Sequence, residues 1–314
     1  MARKTNYHNI ATEEELKKVN PDNITLLESW LIYLRAASRS QGTIKNYISD
    51  VNIYFVWNVN FADNKFFGNV TPKDILLFQN WLTEEMGMSS NRVRRIKDTL
   101  SSFSNYIEKF EGIEGFKNVI RDVPQPKKVI TRESTILTDE DVKVILEGFI
   151  NEYRYMEALM CAMVFYGGLR KNDIAEVKAG WFTKDDIVFD IFYKSPETIS
   201  TKNDKQVNIY LLKKEIDRYL YLWQKQRKKL IKKQLFNECG LEYMFICRSQ
   251  TNGKWQKCGS ATKMTYTANY ATKFLKENGI DKEFYWEAGR QYYFDYISKQ
   301  NLPSNIVKIL KKNT

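Results

Sequence analysis

The stretch FYGGLRKNDIAEVK, residues 165–178, ends an apolar run with two adjacent glycines. The apolar run over residues 155–166 predicts a buried helix. The glycines allow a sharp turn at the end of that helix, so Arg170 is expected to be held rigidly beside the core. A planar guanidinium in such a place suits the oxygens of a phosphate. The alternative is an internal salt bridge of Arg170 with Asp173 or Glu176.

A second arginine, Arg290, stands in EAGRQYYFDYISKQNLPSNIVKIL, residues 287–310. Upstream of it, two apolar segments at 187–193 and 207–211 predict a pair of antiparallel strands. The polar segment between them carries lysines, and a basic helix is expected after the second strand. With Thr138 as the N-cap of a first helix, these patterns predict a mostly helical domain with a small antiparallel sheet.

The first 118 residues show apolar side chains that recur every three or four positions. Thr71 and Ser89 precede two of these stretches and have the character of N-caps. The stretches are residues 27–34, 44–55, 75–82 and 93–107. Four amphipathic helices with short links predict a small helical bundle, and the fold class is therefore mainly α.

The segment between these two patterns has no hydrophobic rhythm. Residues 119–134 carry two prolines followed by two lysines, which is typical of an extended interdomain linker. We therefore expect a helical domain over residues 1–118, the linker at 119–134 and a second domain over 135–314.

The charge balance favours a polyanionic partner. The chain has 49 lysines and arginines against 38 acidic residues, a formal net charge of +11. Each cation set against a phosphate releases counterions, so nucleic acid is the first candidate and an anionic membrane surface the second. No run approaches the ~20 apolar residues of a membrane helix, and the N-terminal stretch has no apolar signal segment. We expect no membrane partner and a location in the bacterial host cytoplasm, with the nucleoid.

Metal and histidine chemistry are not expected. The four cysteines form no CxxC pair, and the single histidine is His8, near the N-terminus. This composition argues against a zinc site and against a histidine base within the fold. No cofactor and no metal are predicted.

Two groups of basic residues are candidates for contact with nucleic acid. Arg92 and Arg95 are spaced to share one helix surface, and Arg39 and Lys45 stand near the start of the second helix. A basic helix face is usually only solvated, but a chain this cationic favours a nucleic-acid contact. Base contacts are expected from the helical domain and from the polar surface of residues 260–275.

The order of these features resembles the tyrosine recombinase, or phage integrase, family over most of the chain. The first 118 residues look like its core-binding (SAM-like) domain, which holds one face of a DNA duplex, and the rest like its catalytic domain. The resemblance places the two active-site arginines at Arg170 and Arg290. It places the active-site lysine at Lys202, in STKNDKQVNIYL, with Lys205 as the alternative. In this family these cations surround one scissile phosphate while a tyrosine attacks it, without metal or nucleotide.

The sequence departs from the family at three places. The family has a histidine three residues before the second arginine, where this chain has Glu287, and a carboxylate repels the charge that builds up on a phosphate. Its Gly-His pair falls on residues 311–313, which are KKN. Its nucleophile falls beyond Thr314. The tyrosines close to Arg290 are interpreted as core or DNA-flanking residues: Tyr292, Tyr293 and Tyr296.

Three functions are compatible with these features. The first is a sequence-specific protein for double-stranded DNA, a phage or prophage transcriptional repressor without strand cleavage, similar to the master repressors of SPbeta-like phages and able to self-associate on DNA. The second is an active site-specific recombinase whose C-terminal tyrosine segment is missing from this chain. The third is an RNA-binding or structural phage protein. A covalent protein–DNA adduct would identify the second, and a preference for single strands the third.

Overall fold

A computed structural model describes residues 10–129, 135–201, 205–232, 241–248, 255–258, 261–300 and 302–313. The chain divides into two compact units, Met1–Arg132 and Glu133–Thr314. None of the helices in the described ranges is long and apolar enough to cross a bilayer.

The first unit is a bundle of helices. Its helices are α1 (Glu13–Leu16), α2 (Pro21–Ala36), α3 (Gln41–Phe61), α4 (Pro72–Asn80) and α5 (Ser90–Phe110). The predicted N-caps form as expected: the Thr71 side chain accepts from the Asp74 N–H in a capping box, and the Ser89 side chain accepts from the Arg92 N–H. The apolar faces meet in one core that includes Trp30, Phe55 and Phe103.

The segment after α5 stays attached to this unit. A short 3₁₀ helix, Val119–Asp122, leads to Val123, which is buried. Lys97 on α5 is fully buried, and its Nζ donates to the carbonyls of Val123 and Pro124 at 3.0 and 2.9 Å and to Gln79 Oε1 at 2.8 Å. The first part of the segment predicted as linker thus packs on α5.

The second unit is mostly helical around a small sheet. Its helices are α6 (Asp139–Asn151), α7 (Tyr155–Gly167), α8 (Lys171–Ile174), α9 (Lys213–Lys232), α10 (Ala261–Glu277), α11 (Trp286–Lys299) and α12 (Ser304–Asn313). The predicted cap at Thr138 forms a capping box with Asp141. The predicted buried helix is confirmed as α7, which is buried along nearly its whole length and packs against α6, α9 and α11.

Within the described part of the second unit, seven short strands form three antiparallel sheets. They are β1 (Ile187–Val188), β2 (Phe192–Lys194), β3 (Ile199–Ser200), β4 (Gln206–Val207), β5 (Tyr210–Leu212), β6 (Ile246–Arg248) and β7 (Trp255–Lys257). The sheet orders are β1-β2-β5, β3-β4 and β6-β7. The mainly helical class with a small antiparallel sheet is therefore confirmed.

The prediction of two continuous strands is wrong in detail. The segment 187–193 is a hairpin rather than a strand, because Phe189 and Asp190 adopt φ of 55° and 57° and reverse the chain between β1 and β2. The segment 207–211 divides between two sheets, with Val207 pairing with β3 and the residues from Tyr210 pairing with β2. Phe189 is 58% exposed, so its apolar character in the sequence does not reflect a place in the core.

Candidate nucleic-acid interface

The end of α7 positions the first arginine. Gly168 caps the helix in the left-handed region, with φ of 65°, which a residue with a Cβ rarely adopts. The chain then turns through Leu169 and starts α8 with Arg170 at the N-cap. Arg170 is exposed, and within the described ranges its guanidinium makes no hydrogen bond or ion pair. The internal salt bridge considered from the sequence is not formed: Glu176 pairs instead with Lys257 at 2.6 Å.

The second arginine comes to the same turn from α11. Gly289 brings α11 against α7 so closely that a Cβ there would lie 2.8 Å from Val164 Cγ1. The next residue, Arg290, is 8% exposed in its side chain, and its Nε donates to the Gly168 carbonyl at 2.9 Å. The structure thus brings the two predicted arginines to one turn, although they are far apart in sequence.

The carboxylate of Glu287 binds the guanidinium of the second arginine, Arg290. Arg290 Nη1 donates to both oxygens of Glu287, at 2.9 and 3.0 Å, from one turn earlier on α11. Glu287 is 71% exposed, so the pair lies at the surface with its acidic side toward solvent. The Glu287 carboxylate therefore partly neutralises the charge of Arg290.

The Asp173 carboxyl is close enough to Arg170 and Arg290 to interact with the charges of both. Asp173 is 8% exposed, and its backbone N–H donates to the Arg170 carbonyl at 2.9 Å. Burial raises the pKa of the Asp173 carboxyl above its ordinary value, and the nearby charges of Arg170 and Arg290 oppose that rise. Asp173 is thus a buried, structural residue of the turn that holds both arginines.

The hairpin of β3 and β4 lies beside this turn. A small cavity of about 10 Å³ is lined by Gly168 and Asp173, by Ile199 and Val207 of the hairpin, and by Tyr293 of α11. At the hairpin tip, the Thr201 N–H donates to the carbonyl of Lys205 at 3.0 Å, and Lys205 is exposed. Lys202, the first candidate for the active-site lysine, lies outside the described residues.

The tyrosines next to Arg290 are engaged in packing. Tyr292 and Tyr293 are buried, and the Tyr292 hydroxyl donates to Asp139 at 2.9 Å. The Tyr296 hydroxyl donates to Glu215 at 3.0 Å. Burial, with Glu215 beside it, raises the pKa of Tyr296 to about 12, and burial raises the pKa of Tyr292 and Tyr293 as well. A phenol with a raised pKa is a weak nucleophile, which agrees with a structural role.

The basic residues of the first unit differ in their exposure. Arg92 has only 14% of its side chain exposed and pairs with the buried Asp50 at 2.5 Å, whereas Arg95 is 54% exposed and reaches the same carboxylate at 3.3 Å. Arg39 and Lys45 are exposed at the end of α2 and the start of α3. Of Arg92 and Arg95, the two α5 arginines predicted to share one surface, Arg95 therefore offers more of its guanidinium to a partner.

Three charged residues that join elements of one unit, Asp50, Lys97 and Arg154, were not anticipated from the sequence; the first two are buried. Asp50 joins α3 to α5, Lys97 joins α5 to the segment after it, and Arg154 joins α7 to α10. The Arg154 guanidinium carbon lies 3.7 Å from the ring centroid of Tyr270. Glu157 pairs with Arg154 at 3.0 Å and with a lysine of α10 at 2.6 Å. Apart from Glu157, which lies one turn from Arg154, the partners lie on other elements, so the sequence carries no signal for these contacts.

The comparisons with known proteins agree with this architecture. Residues 26–112 match the family described as phage integrase, N-terminal SAM-like domain. A lambda integrase (75–356) dimer bound to a COC' core site is similar in structure, with a TM-score of 0.59, 16% identity and coverage of 91% of this chain and 93% of that one. XerH site-specific recombinase bound to a palindromic difH substrate also has a TM-score of 0.59, with 17% identity over 98% of this chain and 86% of that one.

Residues 26–112 are thus a phage-integrase SAM-like domain, and the chain as a whole has the two-domain tyrosine-recombinase fold. In sequence it is homologous to the SPbeta prophage-derived recombinase-like protein YomM of Bacillus subtilis (strain 168). The two are 24% identical over 222 residues, which is 69% of this chain and 66% of YomM, just under two thirds of that protein's length.

Proposed function

We propose that this protein is a sequence-specific binder of double-stranded DNA on a tyrosine-recombinase scaffold, acting as a phage or prophage transcriptional repressor without strand cleavage. The observation that carries the proposal is the bidentate contact of Glu287 with Arg290. Arg170 remains exposed beside it, so one cation is open to a phosphate while the other is partly neutralised.

Binding is supported by charge and by similarity. The net charge of +11 favours duplex DNA through counterion release. Similar structures include recombinases bound to their DNA sites. Arg170 and Lys205 are both exposed on elements that meet at the turn after α7. Such cations position a duplex without specifying its sequence, so specificity comes from other surfaces, for which Lys45 and the α10 helix are the candidates.

Loss of cleavage is supported by electrostatics. Transfer of a phosphate to a nucleophile adds negative charge to its oxygens, and enzymes stabilise this charge with donors fixed in advance. Loss of one such donor costs on the order of 10²–10³ in rate. At Glu287 a donor is replaced by an anion that also binds the neighbouring arginine, so the penalty on the transition state exceeds the penalty on phosphate binding.

Selection of bound sequences from a random duplex library tests the first part of the proposal. We expect one enriched motif, and a promoter carrying that motif should be repressed when the protein is expressed. Recovery of an unselected library would contradict sequence-specific binding. Arg170→Ala should weaken binding to the motif and to random duplex by the same factor, since phosphate contacts carry no sequence information.

An active recombinase is the second candidate, because the structure brings Arg170 and Arg290 to one turn and the β3–β4 hairpin beside it. A suicide duplex with a nick near the enriched motif distinguishes the two candidates. A covalent protein–DNA adduct would establish strand cleavage and overturn the proposed loss of catalysis. Unmodified protein, bound to the same duplex, is the outcome that we expect.

A further inference from the structure

A cleft at one end of the first unit has an exposed aromatic wall. Tyr33 at the end of α2 contacts Tyr106 and Phe110 of α5, with ring centroids 5.3 and 5.2 Å apart, and the two α5 rings stack at 5.4 Å. Tyr33 is 42% and Phe110 60% exposed, whereas the core of this unit is built from other aromatic residues. A contiguous group of exposed rings is typical of a binding surface.

The backbone fixes an arginine at the rim of this cleft. Ser38 adopts φ of 54°, and the Arg39 N–H donates to the Leu34 carbonyl at 3.0 Å, which closes the end of α2 in a Schellman-type turn. Arg39 and Lys109 both line the cleft. Within the described part of the chain neither side chain takes part in an ion pair.

Tyr106 forms the inner part of the aromatic wall. The rings of Tyr33 and Phe110 pack against it, and burial together with the neighbouring Glu111 raises the pKa of its hydroxyl to about 12. The ring is therefore held in place as a neutral phenol at physiological pH. The cleft thus combines a neutral aromatic wall with two cations at its edge.

These groups match the chemistry of a nucleotide. Aromatic platforms bind bases through stacking, and a cation beside them binds the phosphate. The cleft has a volume of about 210 Å³. This is below the roughly 300–1,000 Å³ of sites that enclose whole drug-sized ligands, so it has room for one ring system with the charged group left at the rim.

We propose that this cleft binds a single unpaired nucleotide, with the base on the wall of Tyr33, Tyr106 and Phe110 and the phosphate between Arg39 and Lys109. The site goes beyond the duplex binding proposed above, because a stacked base must be unpaired. The nucleotide comes either from a single-stranded stretch of nucleic acid or from solution as a free mononucleotide.

Binding of a single-stranded nucleic acid is tested with two labelled strands, each eight nucleotides long. One strand consists of thymidines, and the other consists of abasic sites with the same phosphates. Fluorescence anisotropy should show about tenfold tighter binding of the thymidine strand, since stacking contributes about this much per base. Tyr33→Ala should bring the ratio of the two affinities close to one. Phe61→Ala is the matched control, because Phe61 is 57% exposed in the same unit, contacts Trp81 and does not line the cleft.

Binding of a free mononucleotide is tested by calorimetric titration with adenosine monophosphate. Binding to the unchanged protein and to Phe61→Ala, but not to Tyr33→Ala, would assign the cleft to a mononucleotide.

Lys109→Ala should weaken the binding of the thymidine and abasic strands alike. It should also reduce the salt slope by about 0.7, the value for one phosphate contact with a single strand. Lys73→Ala, on an exposed position of α4, should leave the slope unchanged.

The proposal is overturned if neither probe shows a dependence on Tyr33 while cooperative thermal unfolding shows that Tyr33→Ala is still folded. A failure to bind duplex DNA would contradict the proposed function but not the nucleotide site. Arg170→Ala should weaken duplex binding and leave the ratio of thymidine to abasic strands intact, because Arg170 belongs to the other unit.

Discussion

Glu287→Gln should convert Arg290 into a better phosphate-binding residue. In the present structure both oxygens of Glu287 contact Arg290 Nη1, at 2.9 and 3.0 Å. Glutamine has the same shape and can still accept one hydrogen bond, but it has no negative charge. The positive charge of Arg290 would then act on an approaching phosphate without the opposing charge of Glu287.

The size of the effect follows from the exposure of the pair. Glu287 is 71% exposed, so the dielectric around it is close to that of water, where two unit charges about 4 Å apart interact by ~1 kcal/mol. A change of ~1 kcal/mol corresponds to roughly fivefold tighter binding of duplex DNA. If Arg290 gains one phosphate contact, the slope of log K against log salt becomes steeper by ~0.9. The Glu287 end of the pair is exposed and glutamine still accepts one hydrogen bond from the buried Arg290, so the free energy of unfolding should change by at most ~1 kcal/mol.

Fluorescence anisotropy of one labelled duplex at several salt concentrations measures both quantities. Glu283→Gln is the matched control, since it removes the same charge from an exposed position four residues earlier. Equal affinities and equal salt slopes for the two variants would refute the inference that Glu287 restrains Arg290. A gain in affinity that came only from the higher net charge would appear in both variants.

Three further changes test other parts of the structure. Arg170→Ala should reduce the salt slope for duplex DNA by ~0.9 while Lys171→Ala, its exposed neighbour, serves as the control in the same titration. Asp50→Ala leaves the largely buried Arg92 without its carboxylate, and denaturant unfolding should show a loss of about 3–5 kcal/mol, whereas a loss below ~1 kcal/mol would contradict a buried pair. Burial lowers the pKa of Lys97 to about 8, against about 10.4 in an unfolded chain. The unfolded state therefore binds more protons between these values, and stability should rise from about pH 8 to about pH 10.4 relative to Lys97→Met.

Local signals in the sequence predicted the helices well. The capping boxes at Thr71 and Thr138 depend on residues three positions apart, and both form. The apolar run 155–166 is long enough to predict a buried helix without knowledge of its partners. Such features can be predicted because their causes lie within one or two turns of the chain.

Features with distant causes could not be predicted in this way. The hairpin at Phe189 is local but was missed for another reason, because its two residues with positive φ are neither glycine nor asparagine and so give no turn signal. The pairing of Asp50 with Arg92 joins residues on two helices, and Asp50 has the sequence character of any polar helix residue. For the candidate site, the resemblance placed both arginines, but only the geometry shows that Glu287 binds one of them.

The close approach of α11 to α7 at Gly289 has a consequence for how such proteins evolve. Glycine is required there because a Cβ would lie 2.8 Å from Val164, and the Arg290 side chain is aimed by that backbone contact and by the Gly168 carbonyl. Selection for folding alone therefore preserves the geometry of the turn that holds Arg170 and Arg290. An exposed residue such as Glu287 can change without repacking, so the charge beside that turn can vary on an unchanged frame.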